Sequence, residues 1–382
     1  MNIRELVRES RGEMIELLSE LIRQDTTNLP GNEHLGVKVI TDFCDRYGMP
    51  YEIHWKEPKR ENIIIRIGTG KPRIFAAGHI DVVPAGDPSK WTAPPFEPKI
   101  ENGKMFGRGT TDNKGPLAAI LIAAKALFKM KGEFKGTLIA AGVADEEKGS
   151  RFGTEYLMEK GLIDCEYAVI PDIGGNMTVV DIAEKGVLDI KLTASGRSAH
   201  GSTPELGDNA IYKMSDAVKK LREFTFEFEK HRFLSAPTMN MGLINGGSAP
   251  NMVPDKCEAV VNIRYLPGMN AEKIRSSLEA YLSEYGIRAE IISNIEPSEV
   301  DPECEIVKLI SRMTKEATGI EPKLIGLGGA TVCKTFIKKN IPAVGWGAGG
   351  DCAHMPDECI DLDNLMNFAE VFAAITYELI KK

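Results

Sequence analysis

The stretch GTLIAAGVADEEKGS, residues 136–150, sets an almost wholly apolar run against three adjacent carboxylates. Thr137 to Ala144 lacks the alternation of a half-solvated strand. It reads instead as a strand buried on both faces, which is the habit of parallel sheets. Charges prefer water, so Asp145, Glu146 and Glu147 are either a solvated turn or one wall of a site that holds positive charge. The rest of the chain decides between the two.

Outward from this run the same pattern repeats. NIIIRIG (62–68), RIFAAGH (73–79) and YAVIPD (167–172) are short apolar strands, and GPLAAILIAAKALFKM (115–130) is an Ala/Leu-rich helix. Helices are expected over 3–24 and 34–47, and the Pro- and Gly-rich stretch 83–104 reads as a loop. From Gly186 the pattern changes to alternating strands (VLDIKLTASG, TMNMGLINGG, CEAVVNIRYLPG, IRAEIIS) and two amphipathic helices (209–224, 271–286) in the order β-α-β-β-α-β. After Glu296 apolar strands and helices alternate again, with a helix over 302–316, the strand PAVGWGAGG and a helix over 361–381. The expected fold class is α/β: a mostly parallel sheet with helices on both faces, built from 1–185 and 294–382, and an inserted ferredoxin-like α+β unit over 186–293.

Bulk composition narrows the partners. The 382 residues suit roughly two domains. Hydrophobic content of 43% and charged content of 27% are ordinary for a soluble protein. A net charge of −8 leaves no basic excess to neutralise phosphates, so nucleic acid is not an expected partner. The first 24 residues alternate charged and apolar side chains without the apolar centre of a signal peptide. The longest apolar stretch, Leu117 to Phe128, is broken by Lys125 and falls short of the ~20 residues of a membrane span. A cytoplasmic protein without a membrane partner is expected. The seven cysteines form no CxxC pair and read as buried reduced thiols.

Polar residues gather where strands end. His79 and Asp81 close RIFAAGHID, Asp112 precedes the helix at Gly115, Glu146 and Glu147 follow the third strand, Asp172 ends YAVIPD, and His354 follows the last core strand. Any one alone has an ordinary reading: a core histidine, a helix cap, a turn aspartate, a surface histidine. Together they fall at the carboxyl ends of strands, where open α/β sheets carry their sites. Imidazole nitrogens with carboxylate oxygens are the donor set of zinc-like ions. One aspartate can bridge two ions ~3.5–4 Å apart. Asp81 is placed to accept the other N–H of His79.

These segments resemble a known family. GHIDVVPAG, Trp91 with MFGRGTTDNKG, DEEKGS, Pro171-Asp172, SGRSAHGSTPELGDNA and AHMPDE, spread in order along nearly the whole chain, are similar to the signatures of the co-catalytic zinc amidohydrolases. That family includes aminoacylase, acetylornithine deacetylase, succinyl-diaminopimelate desuccinylase, glutamate carboxypeptidase and cytosolic dipeptidases. The resemblance implies two divalent ions, zinc with cobalt or manganese also fitting. His79 and Asp172 would hold one, Glu147 and His354 the other, with Asp112 between them and a cis peptide at Asp112–Asn113. It implies Glu146 as general base and the inserted unit as a lid that makes a homodimer, with His200 serving the partner's site as oxyanion donor. Asn251 would sit near His200. Arg264 is the candidate for a small substrate's free carboxylate, because a guanidinium matches a carboxylate with two parallel bonds.

The chain also departs from relatives. GLGGATVCKTF has Cys333 and Lys334 where many carry acidic and arginine side chains, which leaves the backbone N–H groups of Gly328 and Gly329 as anion donors. IAEKGVLD replaces the arginine-rich turn of desuccinylases. Asp172 and DNKGP lean towards dipeptidases and carboxypeptidases, whereas ADEEKGSRFGTEYL leans towards deacylases of N-acyl amino acids. The expected activity is amide hydrolysis of small N-acyl amino acids, with a dipeptidase or carboxypeptidase as the alternative. A non-catalytic relative would be expected to lack a ligand or the base, and none is missing.

Overall fold

The computed structural model describes residues 2–381. The chain divides into two compact units, Met1–Ile182 with Val300–Ile325 and Thr331–Lys382, and Ala183–Glu299 with Gly326–Ala330.

In the first unit, strands lie in the order Tyr51–Trp55, Glu61–Gly68, Thr137–Val143, Arg73–His79, Tyr167–Ile170 and Ala343–Gly345. The central pairings, between Thr137–Val143, Arg73–His79, Tyr167–Ile170 and Ala343–Gly345, are parallel. Glu61–Gly68 and Tyr51–Trp55 extend the sheet antiparallel at one edge. Every residue of Thr137–Val143 is buried, as its unalternating sequence requires. Phe75, Ala77, Ile139 and Ala141 pack on one face with Leu157 and Phe336. The helix Lys114–Lys129 meets the strands from its neighbouring layer and packs on the helix Leu362–Ile380.

Two expectations need correction. The stretch read as a loop, 83–104, contains the strand Lys99–Glu101, which pairs with Lys104–Phe106 and joins Cys359–Asp361 in a separate three-stranded sheet. The two strands of this hairpin are only three residues long and, taken together, mostly exposed, too short to show a period in the sequence. The cysteines are free, but only Cys44, Cys165, Cys257 and Cys333 are buried; Cys304, Cys352 and Cys359 are half-exposed.

The second unit is the β-α-β-β-α-β arrangement. Its antiparallel sheet runs Thr238–Gly246, Lys256–Tyr265, Gly186–Ser195, Ile287–Ile295. Gly186–Ser195 buries every second residue, so one face packs on the helices Ala210–Leu221 and Ala271–Tyr281. Among the described residues no helix is long and apolar enough to cross a membrane.

Candidate metal centre

Strand geometry brings the first ligand candidate into place. Arg73–His79 delivers His79 to the carboxyl end of the sheet, 2% exposed. Its neighbour Gly78 has to be glycine, because a Cβ there would lie 2.7 Å from both Asn113 Oδ1 and Leu117 Cβ. That close approach of the helix Lys114–Lys129 sets Asp112, joined to Asn113 by a cis peptide, directly over the strand end. Asp112 does not cap this helix. Its Oδ1 lies 2.7 Å from His79 Nε2 and its Oδ2 3.0 Å from His354 Nε2.

Around this aspartate the other groups complete two clusters. Asp172 Oδ1 stands 3.8 Å from His79 Nε2, and Glu147 Oε1 stands 3.2 Å from His354 Nε2. His79, Asp112 and Asp172 form one group, and Asp112, Glu147 and His354 the other, each with its donor atoms within 4.8 Å of one another. The five strand-end residues singled out by sequence therefore converge, and Asp112 belongs to both groups.

Asp81 acts differently from its expected part. The group nearest His79 Nδ1 is the backbone carbonyl of Asp81, at 2.8 Å, whereas its carboxylate Oδ1 is 3.7 Å away. The carbonyl takes the Nδ1 proton, so Nε2 is the nitrogen that faces Asp112 and would ligate once its own proton is lost. This frees the carboxylate to accept the backbone N–H of Glu146 at 3.1 Å and of Glu147 at 3.2 Å, with Asn28 Nδ2 at 2.8 Å.

The three adjacent carboxylates have three different surroundings. Asp145, in the left-handed region at φ +64°, turns inwards and accepts Arg60 Nη2 at 2.9 Å. Arg60 also grips Glu33 through Nε at 2.8 Å and Nη2 at 2.8 Å. Glu147 faces His354. Glu146 is left beside His79, Asn113, Thr154 and Asp172 around a small cavity. Arg60, Asn28 and Asn113 carry no signal in a single sequence, because only the fold brings them to the turn.

Electrostatics describe a site short of positive charge. Burial, then the neighbouring Asp172 charge, pushes the Glu146 carboxyl up to about 8. Burial likewise raises Glu147 and Asp172. Burial opposes charge on His79, but Asp112 and Asp172 overcome it and hold the imidazole well above its ordinary value. The hydrogen bond to Asp112 carries His354 up to about 9. Burial would raise Asp112, yet both imidazoles together hold it well below the usual carboxylate range. Protons on the imidazoles stand where cations would be favoured, and an N/O donor set of this kind suits zinc, cobalt or manganese.

In the second unit, His200 Nδ1 accepts the Ser202 N–H at 3.1 Å, which puts the ring proton on Nε2. The adjoining Gly201 N–H donates to Asn251 O at 2.8 Å, so His200 and Asn251 lie on neighbouring strands of chain. Arg264 is half-buried, its Nε donating to Asn262 at 3.0 Å and its Nη1 to the Gly328 carbonyl at 3.5 Å. Gly328 and Gly329 are exposed. Cys333 and Lys334 are buried, in the helix Cys333–Ile337 of the first unit.

The chain is similar to known proteins along nearly its whole length. The chain is 31% identical to an uncharacterized metallohydrolase of Methanocaldococcus jannaschii, over 97% of this chain and 99% of that one. It is 29% identical to a probable succinyl-diaminopimelate desuccinylase of Staphylococcus aureus, over 98% and 99%. A solved tripeptidase from Staphylococcus aureus shares the fold with a TM-score of 0.75 at 21% identity, covering 97% of this chain and 99% of that one. A family model described as Peptidase family M20/M25/M40 matches residues 75–378. The chain belongs to peptidase family M20/M25/M40 and is a metal-dependent hydrolase of amide or peptide bonds.

Proposed function

We propose that the protein hydrolyses the amide bond of small N-acyl amino acids, in the manner of acetylornithine deacetylase or succinyl-diaminopimelate desuccinylase. The observation that carries this reading is the pair of ligand clusters sharing Asp112, with Glu146 half-buried beside them. The nearly full-length likeness to a probable desuccinylase supports the deacylase over the peptidase.

In this reading His79, Asp112 and Asp172 would hold one divalent ion, and Asp112, Glu147 and His354 the other. When bound, such ions polarise a carbonyl and make water acidic near neutral pH. Glu146 takes the proton of the attacking water and hands it to the departing amine nitrogen. Its burial beside Asp172, which pushes it up to about 8, suits a group that must gain and lose a proton near neutral pH. Asp81 keeps the Glu146–Glu147 turn in place through their N–H groups.

The second unit supplies the remaining groups. His200, with its proton on Nε2, donates to the developing oxyanion. Arg264, with the exposed N–H groups of Gly328 and Gly329, takes the substrate carboxylate, and Asn251 lies beside His200. A homodimer through this unit, each His200 serving the partner's centre, belongs to the same reading. Thr238–Gly246 is an edge strand with Leu243 60% and Ile244 53% exposed, the kind of edge that a second copy covers.

A peptidase is the second reading, and Asp172 in place of the deacylases' usual glutamate is what favours it. One panel of N-succinyl-diaminopimelate, N-acetylornithine, N-acetyl amino acids and unblocked dipeptides, with metal-loaded and chelator-treated protein, tests both. Metal-dependent cleavage confined to acylated amino acids is the expected result. Preference for free dipeptides would replace the deacylase with the peptidase.

A further inference from the structure

The ion pair between Arg108 and Glu358, which contacts the backbone beside Asp112 and His354, is buried, with side chains 1% and 0% exposed and Arg108 Nη1 to Glu358 Oε2 at 2.6 Å. Glu358 does more than neutralise the guanidinium. Its other oxygen accepts the backbone N–H of Thr111 at 2.9 Å and of Asp112 at 3.0 Å. Its own carbonyl accepts the Gly107 N–H at 2.9 Å. Arg108, packed over the Trp91 ring at 5.2 Å, reaches in the other direction to the carbonyls of His354 and Met355, each at 3.4 Å. One buried pair therefore touches the backbone of both turns: that of Asp112, shared by the two clusters, and that of His354.

We infer that Arg108 and Glu358 are positioning residues, which hold the Asp112 and His354 turns in their ligating arrangement in the metal-free protein. The inference rests on the reading of Asp112 and His354 as ligands. Buried charges are costly unless matched and hydrogen-bonded. A neutral contact could pack these turns equally well, whereas a carboxylate taking two adjacent N–H groups aims the Asp112 side chain as well as its backbone. The fork of arginine spans Glu358 and the His354 carbonyl at once, and a lysine ammonium, a point donor on a flexible stem, does not.

The first test needs no variant. Hydrogen exchange of metal-free wild-type protein, followed on the segment 107–113, is expected to show Thr111 and Asp112 protected before any metal is added. Rapid exchange there, slowed only by metal, would overturn the inference. The second test titrates cobalt(II) into wild type and Arg108→Lys against a chromophoric chelator, with the visible cobalt spectrum as a further readout. Arg108→Lys is expected to weaken cobalt binding about 10–100-fold and to alter the spectrum. Folded Arg108→Lys protein with unchanged spectrum, binding cobalt within about twofold of wild type, would contradict it. Failure of wild type to take up cobalt would defeat the ligand reading itself, and the metal-free exchange result separates that case from failure of the positioning pair.

Discussion

The Asp81 carboxylate accepts the backbone N–H groups of both Glu146 and Glu147, at 3.1 and 3.2 Å. It thereby links the residue that follows His79 by two positions to the turn carrying the proposed base. The His79 imidazole is served separately, by the Asp81 carbonyl. Asp81→Ala is therefore expected to spare the His79 tautomer and loosen the Glu146–Glu147 turn, lowering activity about 10–100-fold. Asp81→Asn keeps one acceptor oxygen and should lose less. Steady-state kinetics of both variants, with their metal content, checks this; equal activity in Asp81→Ala and wild type would contradict it.

Arg60 is the cation that allows Asp145 to sit inside the protein next to two more carboxylates. Its side chain is 6% exposed, against 4% for Asp145 and 0% for Glu33. Arg60→Met leaves both acids buried without their counter-charge, which typically costs 3–5 kcal/mol, and about that loss is expected in urea unfolding. A loss near zero would mean that water, rather than Arg60, satisfies these acids.

Metal binding should displace protons. In the metal-free protein the His354 imidazole is held up to about 9, so it carries a proton at pH 7, and Asp112 and Asp172 raise His79 in the same direction. An imidazole must lose its proton to ligate. Calorimetric titration in two buffers of different ionisation enthalpy should report net proton release, with apparent affinity rising as pH rises. The same shift fixes the sign for stability. A raised folded-state value means that the His354 contribution is complete below its unfolded value, about 6.5, and is lost as pH rises through about 9. Metal-free protein should lose that stabilisation across this window, and metal-loaded protein should not.

His200 offers a test of the homodimer. His200→Ala is expected to retain metal and lower kcat about 10²–10³-fold, the usual effect of removing one oxyanion donor. Mixing it with inactive Glu146→Gln protein should restore part of the activity, because some mixed dimers pair an intact His200 with an intact Glu146 across the interface. No recovery after subunit exchange would count against His200 acting in the partner's site.

Much of this was legible in the sequence, for particular reasons. Thr137–Val143 announced a doubly buried strand because it contains no alternation, and Gly186–Ser195 announced a one-sided sheet because it alternates cleanly. His79, Asp112, Glu147, Asp172 and His354 were readable as a group because each follows a strand or precedes a helix at the same sheet edge. What sequence could not give depends on contacts between distant segments. Arg60 meets Asp145 across 85 residues and Arg108 meets Glu358 across 250, and neither arginine differs locally from a surface residue. Whether the carbonyl or the carboxylate of Asp81 meets His79 Nδ1 depends on the local backbone conformation, which residue spacing does not reveal. The hairpin of Lys99–Glu101 and Lys104–Phe106 was invisible because its strands are three residues long and expose most of their side chains.

The most direct test of the account is Glu146→Gln, with bound metal and turnover measured on the same sample. The glutamine keeps the size and the backbone N–H bond to Asp81 but cannot take the proton. The account predicts that metal content stays at the wild-type level while kcat falls about 10²–10⁴-fold on whichever amide substrate the wild type cleaves. Wild-type turnover in the metal-loaded variant would contradict it, and the proton would have to pass through another group.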